Sequence, residues 1–246
     1  MCAAYGVFFK TGYDVFNMAI FHFSAKMIKR SAGKRATAAA AYRAAEVITD
    51  QRTGVIHDYT KKTEVNHSEI LAPDNVPEWV FDRSELWNRV EVSEKQKNSQ
   101  VAREVEFSLP TELSNQQQID LVRTFVKSDF VEIGMVADVN IHKQGSDNPH
   151  AHVMLTTRHI SEDGFGLKNR DWNNKDLLKF WREEWEEHAN AALTAAGSDA
   201  RMDHRSLEDQ GVTDRLPAIH LGSNVIEMTG RGIRSERQDR YDEIAR

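Results

Sequence analysis

The sequence predicts an α+β fold in which a mostly antiparallel sheet carries helices packed on one face. Several short segments alternate between apolar and polar residues, as strands do, and two longer segments repeat apolar residues with helical spacing. A turn-rich link at residues 144–149 (QGSDNP) joins two alternating segments and predicts a hairpin. Few predicted strands sit in regular βαβ units, so parallel pairing is not favoured.

Each predicted element rests on its own local pattern. Residues 18–25 (MAIFHFSA) alternate and are rich in aromatic side chains, so they predict a strand, which a basic loop at 26–35 follows. The Ala-rich residues 36–48 predict a helix with Tyr42 in its middle. The further predicted strands are 55–60, 101–109, 135–143 and 150–160. The further predicted helices are 83–98, one capped by Ser114 and ended by Gly134, and 174–196.

Composition limits the class of protein. The chain has 246 residues, of which 40% are hydrophobic, and its 11 Phe, 5 Trp and 5 Tyr exclude a solvated, disordered chain. The single cysteine, Cys2, excludes a disulfide framework and a cysteine-based zinc site, which fits a reducing cytoplasm. No apolar stretch approaches the roughly 20 residues of a membrane span, so we expect a cytoplasmic protein with no membrane insertion.

Charge is distributed unevenly along the chain. The formal net charge is −6, but residues 1–62 carry ten lysines and arginines against four acids. Five of these basic side chains follow the first predicted aromatic segment: Lys26, Lys29, Arg30, Lys34 and Arg35. Because a local patch binds phosphate, these five are candidate contacts to a nucleic-acid backbone. A solvated basic surface is the alternative that composition leaves open.

Three histidines near the predicted hairpin form the strongest chemical signal. His150 and His152 are separated by one residue in a predicted strand, so both imidazoles project from the same face. His142 ends the preceding strand, and the hairpin can return the chain beside it. Three converging imidazoles can hold a divalent metal ion with open coordination positions. Because the three ligands are neutral, the ion keeps almost all of its positive charge, which suits a phosphodiester substrate. The alternative is an exposed hairpin in which the histidines occur by chance.

A metal-dependent nuclease also requires a nucleophile. Water is the default, and a tyrosine is the alternative if the product must stay attached to the protein. Tyr42 lies beside the basic loop, although a core aromatic residue would fit the same helix. Glu104 and Glu106 share one face of their strand, where one of them could accept the N–H of a metal-binding imidazole. A pair of solvent-facing acids is the other interpretation.

Motifs along most of the chain occur in the order found in one family. They are MAIFHFSAK, the basic Ser/Gly loop, the tyrosine at 42, HSEIL, LW, QVAREVEFSLP, NPHAHVML, and DHRSLEDQG followed by HLG. In this combination the chain resembles the MobA/MobL plasmid conjugative relaxases, which belong to the HUH endonucleases. The resemblance covers residues 18–222 as a relaxase domain. It leaves 1–17 as a leader or extension and 223–246 as a charged linker or helix.

The resemblance implies a five-stranded antiparallel sheet, with the tyrosine helix near the face that carries the histidines. It implies Tyr42 as nucleophile, Mg²⁺ or Mn²⁺ on His142, His150 and His152, and Glu104 as their acidic support, with Glu106 as the weaker candidate. The implied reaction nicks one strand at a plasmid origin of transfer, leaves a 5′-phosphotyrosine and later rejoins the strand. The implied partners are origin-of-transfer DNA, accessory mobilization proteins and a type IV secretion coupling protein.

Three other functions stay open at this point. A rolling-circle replication initiator places its tyrosine after the histidines, where this chain has only Tyr241. A simple metal phosphodiesterase would use water in place of Tyr42. A non-catalytic binding module for single-stranded DNA would use the histidines structurally.

Overall fold

The computed structural model describes residues 19–212 and 223–244. The chain divides into two compact units, residues 1–203 and 204–246, which are described separately below. The predicted N-terminal segment 1–17 lies outside the described residues. The first unit contains the sheet and every candidate site residue that the sequence predicts.

Five antiparallel strands form the central sheet of the first unit, in the order β1–β5–β7–β6–β4. The strands are β1 (Phe23–Lys29), β2 (Val47–Thr49), β3 (Ile56–Asp58), β4 (Val65–Leu71), β5 (Gln100–Ser108), β6 (Ala137–His142), β7 (His150–Leu155), β8 (Arg158–Ser161) and β9 (Gly164–Lys168). Two small hairpins, β2–β3 and β8–β9, lie outside the central sheet. The predicted antiparallel sheet of five strands is confirmed, as is the hairpin between β6 and β7.

The first strand differs from its prediction at both ends. β1 begins at Phe23, not at residue 18, and it continues to Lys29, so Lys26 and Lys29 lie in a strand and not in a loop. Its partner explains the shift, because β5 pairs with β1 from Phe23 to Ile28 before the register becomes irregular. Backbone pairing with a central strand outweighs the polar character of residues 24–29.

Sequence periodicity missed β4 of the central sheet and β2 and β9 of the small hairpins, and it merged two other strands. β4 pairs with β6 at the sheet edge, where its run of His67, Ser68 and Glu69 and an irregular register obscure any alternation. The predicted strand 150–160 is in fact β7 and β8, since the chain leaves the sheet at Thr156 before β8 pairs with β9. Pairing partners distant in sequence decide both outcomes.

The helices are α1 (Ala36–Ala44), α2 (Arg83–Ser93), α3 (Asn115–Val126), α4 (Lys175–Ala195), α5 (Ser223–Gly230) and α6 (Glu236–Ile244). α3 begins with the predicted cap, because the Ser114 side chain accepts from the Gln117 N–H and the Gln117 side chain reciprocates. A π-helical turn, Lys127–Val131, follows α3. α1 stops four residues earlier than predicted, because Ala45 adopts a left-handed conformation with φ 57°.

Helices cover both faces of the sheet, so the prediction that they pack on one face is wrong. On one face, α3 and α4 enclose a core that includes Phe107, Phe125 and Trp185. On the other, α1 and α2 pack through residues such as Trp87 against Met154 of β7. The second face is only partly covered, which leaves room beside α1 for polar side chains of β5, β6 and β7.

The second unit contains α5 and α6, in the segment predicted as a charged linker or helix. Within residues 19–212 and 223–244, no helix has both the length and the apolar character needed to cross a bilayer.

Candidate active site

The three predicted metal ligands converge on the partly covered face of the sheet. His142 ends β6 and lies directly opposite His150 of β7, and His152 lies opposite Asn140. The imidazole centroids are 4.7 to 5.5 Å apart, and one ligand nitrogen from each ring lies within 4.8 Å of the others. The hairpin therefore brings together the cluster that the spacing predicts.

Hydrogen bonds orient each ring. His142 Nε2 donates to the backbone oxygen of Arg43 at 2.7 Å, since a carbonyl can only accept. His150 Nδ1 donates to the Asn148 carbonyl at 2.8 Å, and His152 Nδ1 donates to Glu104 Oε1 at 3.0 Å. One nitrogen of each ring thus takes part in a fixed bond, which leaves the other for a ligand. On His142 this other nitrogen, Nδ1, lies 3.4 Å from the Lys62 ammonium.

Burial keeps His142 and His150 uncharged. His142 is only 1% exposed, and burial is the main cause that lowers its pKa from 6.5 to about 3. Burial likewise lowers the pKa of His150, which is further lowered by the neighbouring His152. Neutral imidazoles are the form that binds metal, so His142 and His150 need not lose a proton at neutral pH.

Glu104 is the carboxylate that supports the histidines. Burial would raise its pKa, but the bonds from His152 and Arg43 outweigh burial and bring the pKa down to about 2. Arg43 Nε lies 2.6 Å from Glu104 Oε1, which also accepts from His152. Glu106 shares this face but lies nearer the edge of the sheet. Its carboxylate is 3.5 Å from Lys26 Nζ of β1 and 3.7 Å from Nε2 of His22, which precedes β1.

Tyr42 lies on the last turn of α1, and its side chain is 47% exposed. The next residue anchors this turn to the cluster, because the Arg43 carbonyl binds His142 and the Arg43 guanidinium binds Glu104. The Tyr42 ring packs edge-on against Tyr59, with centroids 5.2 Å apart. A core position, the bland alternative for this tyrosine, does not fit its exposure.

Sequence patterns missed two residues of the site. Arg43 could have been found as a cation beside a candidate nucleophile, whereas nothing in the spacing points to Lys62. The Lys62 ammonium lies 4.1 Å from the Tyr42 ring centroid and 3.4 Å from His142 Nδ1. It therefore brings positive charge between the tyrosine and the histidines.

The five candidate DNA contacts differ in availability. Arg30 is not available as a DNA contact, contrary to the prediction. Its guanidinium is buried against Glu91 and backbone carbonyls, so its donors are already used within the protein. Lys26 lies 3.5 Å from Glu106, and Arg35 lies 3.6 Å from Asp50. Lys29 and Lys34 are exposed. A cavity of about 260 Å³ brings further cations beside Lys34 and Arg35, namely Arg52, Lys95 and Lys97.

A five-stranded antiparallel sheet with three converging histidines beside a helical tyrosine defines a domain of the HUH class. The sequence profile of the MobA/MobL family matches residues 34–231. The chain belongs to the MobA/MobL family.

Three curated relatives are more than a third identical to this chain over the regions that align. Mobilization protein MobL of Acidithiobacillus ferridurans is 38% identical over 83% of this chain and 62% of its own length. Conjugal transfer protein TraA of Agrobacterium fabrum is 37% identical over 83% of this chain and 21% of its length. Mobilization protein A of Escherichia coli is 37% identical over 90% of this chain and 32% of its own length. The chain thus spans less than two thirds of each of these relatives.

A solved structure shares the fold. A chain described under the molecular basis of vancomycin resistance transfer in Staphylococcus aureus is 36% identical, with a TM-score of 0.72. The match covers 76% of this chain and 100% of that chain.

Proposed function

We propose that this chain is the nicking domain of a conjugative relaxase, which cleaves one DNA strand at a plasmid origin of transfer and later rejoins it. One observation carries the proposal: Arg43 binds His142 through its carbonyl and Glu104 through its guanidinium, which holds exposed Tyr42 beside the three histidines. The names of the relatives, mobilization and conjugal transfer proteins, support the biological setting.

The proposed chemistry exchanges one phosphate ester for another. The Tyr42 oxygen forms a bond to phosphorus and gives up its proton, the bond from phosphorus to the 3′ oxygen breaks, and that oxygen leaves as a hydroxyl. The product is a 5′-phosphotyrosine. Because no ester is lost, the 3′ hydroxyl of a strand can reverse the step without ATP.

His142, His150 and His152 are the proposed metal ligands. The ion would supply positive charge that polarises a phosphate oxygen and balances the charge of the pentacovalent transition state. Three nitrogen ligands fit Mn²⁺ better than Mg²⁺, which prefers oxygen. Glu104 holds the His152 ring by its Nδ1 proton, which directs the other nitrogen away from the carboxylate and toward the cluster.

We propose that single-stranded DNA around the nick passes along the basic surface formed by Lys29, Lys34 and Arg35, with Lys26 at its edge. Arg52, Lys95 and Lys97 extend the same charge around one cavity. Contacts of this kind release counterions, so binding is expected to weaken steeply with salt. We extend the proposal to a cytoplasmic location, to accessory mobilization proteins and to a type IV secretion coupling protein.

The test uses a supercoiled plasmid that carries a candidate origin of transfer, incubated with the protein and Mn²⁺. We expect nicking and a covalent protein–DNA adduct that is visible by mass analysis. Tyr42→Phe should abolish both, and Tyr241→Phe, which removes the tyrosine that follows the histidines, should retain both. EDTA should stop nicking by the parent protein and by Tyr241→Phe, while binding of the DNA largely survives.

Each alternative predicts a different result. Nicking by Tyr42→Phe without an adduct would indicate hydrolysis by water and overturn the role of Tyr42. Loss of the adduct in Tyr241→Phe alone would indicate a replication initiator. Binding without nicking in every metal tested would leave a non-catalytic DNA-binding module.

A further inference from the structure

A second pocket lies at the edge of the sheet, beside β1 and the beginning of α4. Its volume is about 290 Å³, close to the lower end of the range for ligand pockets, roughly 300 Å³. β1, β5 and the Asp171–Asn173 turn contribute to its wall. Arg103 is its innermost charge, and because Arg103 neighbours Glu104 along β5, it faces the side of the sheet opposite the histidines.

Arg103 is a buried cation without an acidic partner. It is 9% exposed, and within residues 19–212 and 223–244 no carboxylate forms an ion pair with it. Its guanidinium donates one hydrogen bond, at 2.7 Å, to the side-chain oxygen of Asn173, and stacks 5.2 Å from the Trp181 ring centroid. Burial, with no opposing charge, lowers its pKa.

Other buried arginines of the same unit are neutralised. Arg30 pairs with Glu91, Arg43 pairs with Glu104, and Arg83 pairs with Asp138. Removing an arginine from water without a partner costs free energy, because its hydration is lost and nothing replaces it. Arg103 is therefore in the state expected of a residue whose counter-charge comes from a ligand.

Three further features of the wall favour an anion. The first turn of α4, from Asn174 and Lys175, borders the pocket, and a helix N-terminus carries partial positive charge. The indole N–H of Trp181 is buried in the same wall and has no acceptor. Among the described residues that line the pocket there is no acid, although the Lys26 ammonium lies 3.5 Å from Glu106.

We propose that this pocket binds a phosphate group, with the Arg103 guanidinium as its principal contact. Two N–H donors of an arginine can bind two phosphate oxygens at once, and the apolar part of the pocket wall leaves space for a sugar. The phosphate can come from the backbone of a bound DNA strand or from a free nucleotide. Only the first source rests on the proposed function.

The first test measures phosphate binding by titration calorimetry in EDTA, with inorganic phosphate and thymidine 5′-monophosphate as probes. Arg103→Met removes the charge and should weaken binding by about tenfold or more, the effect of losing a charge-assisted hydrogen bond. Arg89→Met removes the same charge from an exposed ion pair on α2 and should leave binding unchanged. Stability of Arg103→Met should equal or exceed that of the parent.

A second variant guards against misfolding. Asn173→Asp places a carboxylate where Arg103 already donates a hydrogen bond, so the pocket keeps its shape and loses its free charge. It should abolish phosphate binding and raise stability, whereas Asn75→Asp, in a loop outside the pocket, should do neither. Phosphate binding that is equal in Arg103→Met, Asn173→Asp and the parent would overturn the inference.

The two sources of phosphate separate in a third arm with oligothymidylate. If affinity for the oligonucleotide falls with Arg103→Met and the dependence of binding on salt becomes shallower, the ligand is the DNA backbone. If only the mononucleotide loses affinity, the ligand is a free nucleotide. These measurements need neither metal nor cleavage, so failure of the nicking reaction would not affect them.

Discussion

At the residue scale, the carboxylate of Glu104 connects the tyrosine helix to the histidine cluster. One of its oxygens accepts from both Arg43 and His152, and the carboxylate is nearly excluded from water. Glu106, two residues away on the same face, lies within 4.8 Å of Glu104 and His152. It pairs with Lys26 and His22, however, and has no hydrogen bond to His152 among the described residues. The two acids therefore differ in what their removal should change.

Glu104→Gln should weaken binding of Mn²⁺ by about 10- to 100-fold, because the His152 ring loses the charged acceptor that fixes its orientation. Glu106→Gln should change the affinity little. Titration calorimetry with MnCl₂ measures both, and circular dichroism verifies that each variant is folded. A larger loss of Mn²⁺ affinity in Glu106→Gln than in Glu104→Gln would show that Glu106, and not Glu104, supports the histidines.

Strand periodicity was sufficient to place both acids on one face of β5, because that face depends only on alternation. That His152 lies on the same face depends on the pairing of β5 with β7. Periodicity could not choose between the acids. That choice depends on Arg43, which arrives from α1, a helix sixty residues earlier whose position over the sheet no local pattern encodes. Lys62 was not predicted as a site residue for the same reason, since it reaches the site from the loop before β4.

At the element scale, the end of α1 determines where Tyr42 and Arg43 stand. Ala45 closes the helix with φ 57° and ψ 41°, a left-handed conformation that costs most residues free energy. A glycine adopts this conformation without a Cβ clash. The alanine here is thus a strained helix terminus beside the proposed nucleophile.

Ala45→Gly should stabilise the protein by up to about 1 kcal/mol, since relief of strain exceeds the extra flexibility of glycine in the unfolded chain. Ala38→Gly, inside the same helix, should destabilise it by about 1 kcal/mol. Urea denaturation monitored by circular dichroism gives both values. Destabilisation by Ala45→Gly would mean that the left-handed residue is not strained.

Long, periodic elements were predictable, and short or edge elements were not. The stripe of α4 and the cap of α3 are local features, so the sequence alone located α4 and the beginning of α3, whereas α3 ends at Val126 and not at Gly134. β4 is an edge strand with polar residues, and the length of β1 depends on β5, about seventy residues away. Such pairing depends on tertiary structure, which local periodicity does not record.

At the scale of the first unit, β5 separates two kinds of polar chemistry. Glu104 belongs to the face with the neutral histidines, and Arg103 belongs to the opposite face with the proposed phosphate pocket. His142 and the buried carboxylate of Glu104 also affect the unit as a whole, because both resist protonation. Acid should therefore act on folding through this site.

In the metal-free protein, stability should fall as the pH is lowered from neutrality. Burial lowers the pKa of His142 from 6.5 to about 3, so the unfolded chain binds a proton that the folded chain refuses between these values. The pKa of Glu104, lowered from 4.5 to about 2 by bonds that outweigh burial, adds a loss with the same sign at lower pH. Both contributions are complete above pH 6.5 and are lost progressively toward pH 2.

His142→Asn removes the first of these groups and should flatten the dependence of the free energy of unfolding on pH between 6.5 and 4.5. The parent protein should lose about 1 kcal/mol per pH unit in that interval from one excluded proton. Urea denaturation in EDTA at several pH values measures both slopes. Equal slopes in the parent and His142→Asn would show that the imidazole accepts a proton in the folded protein, so the cluster would not be held neutral by burial.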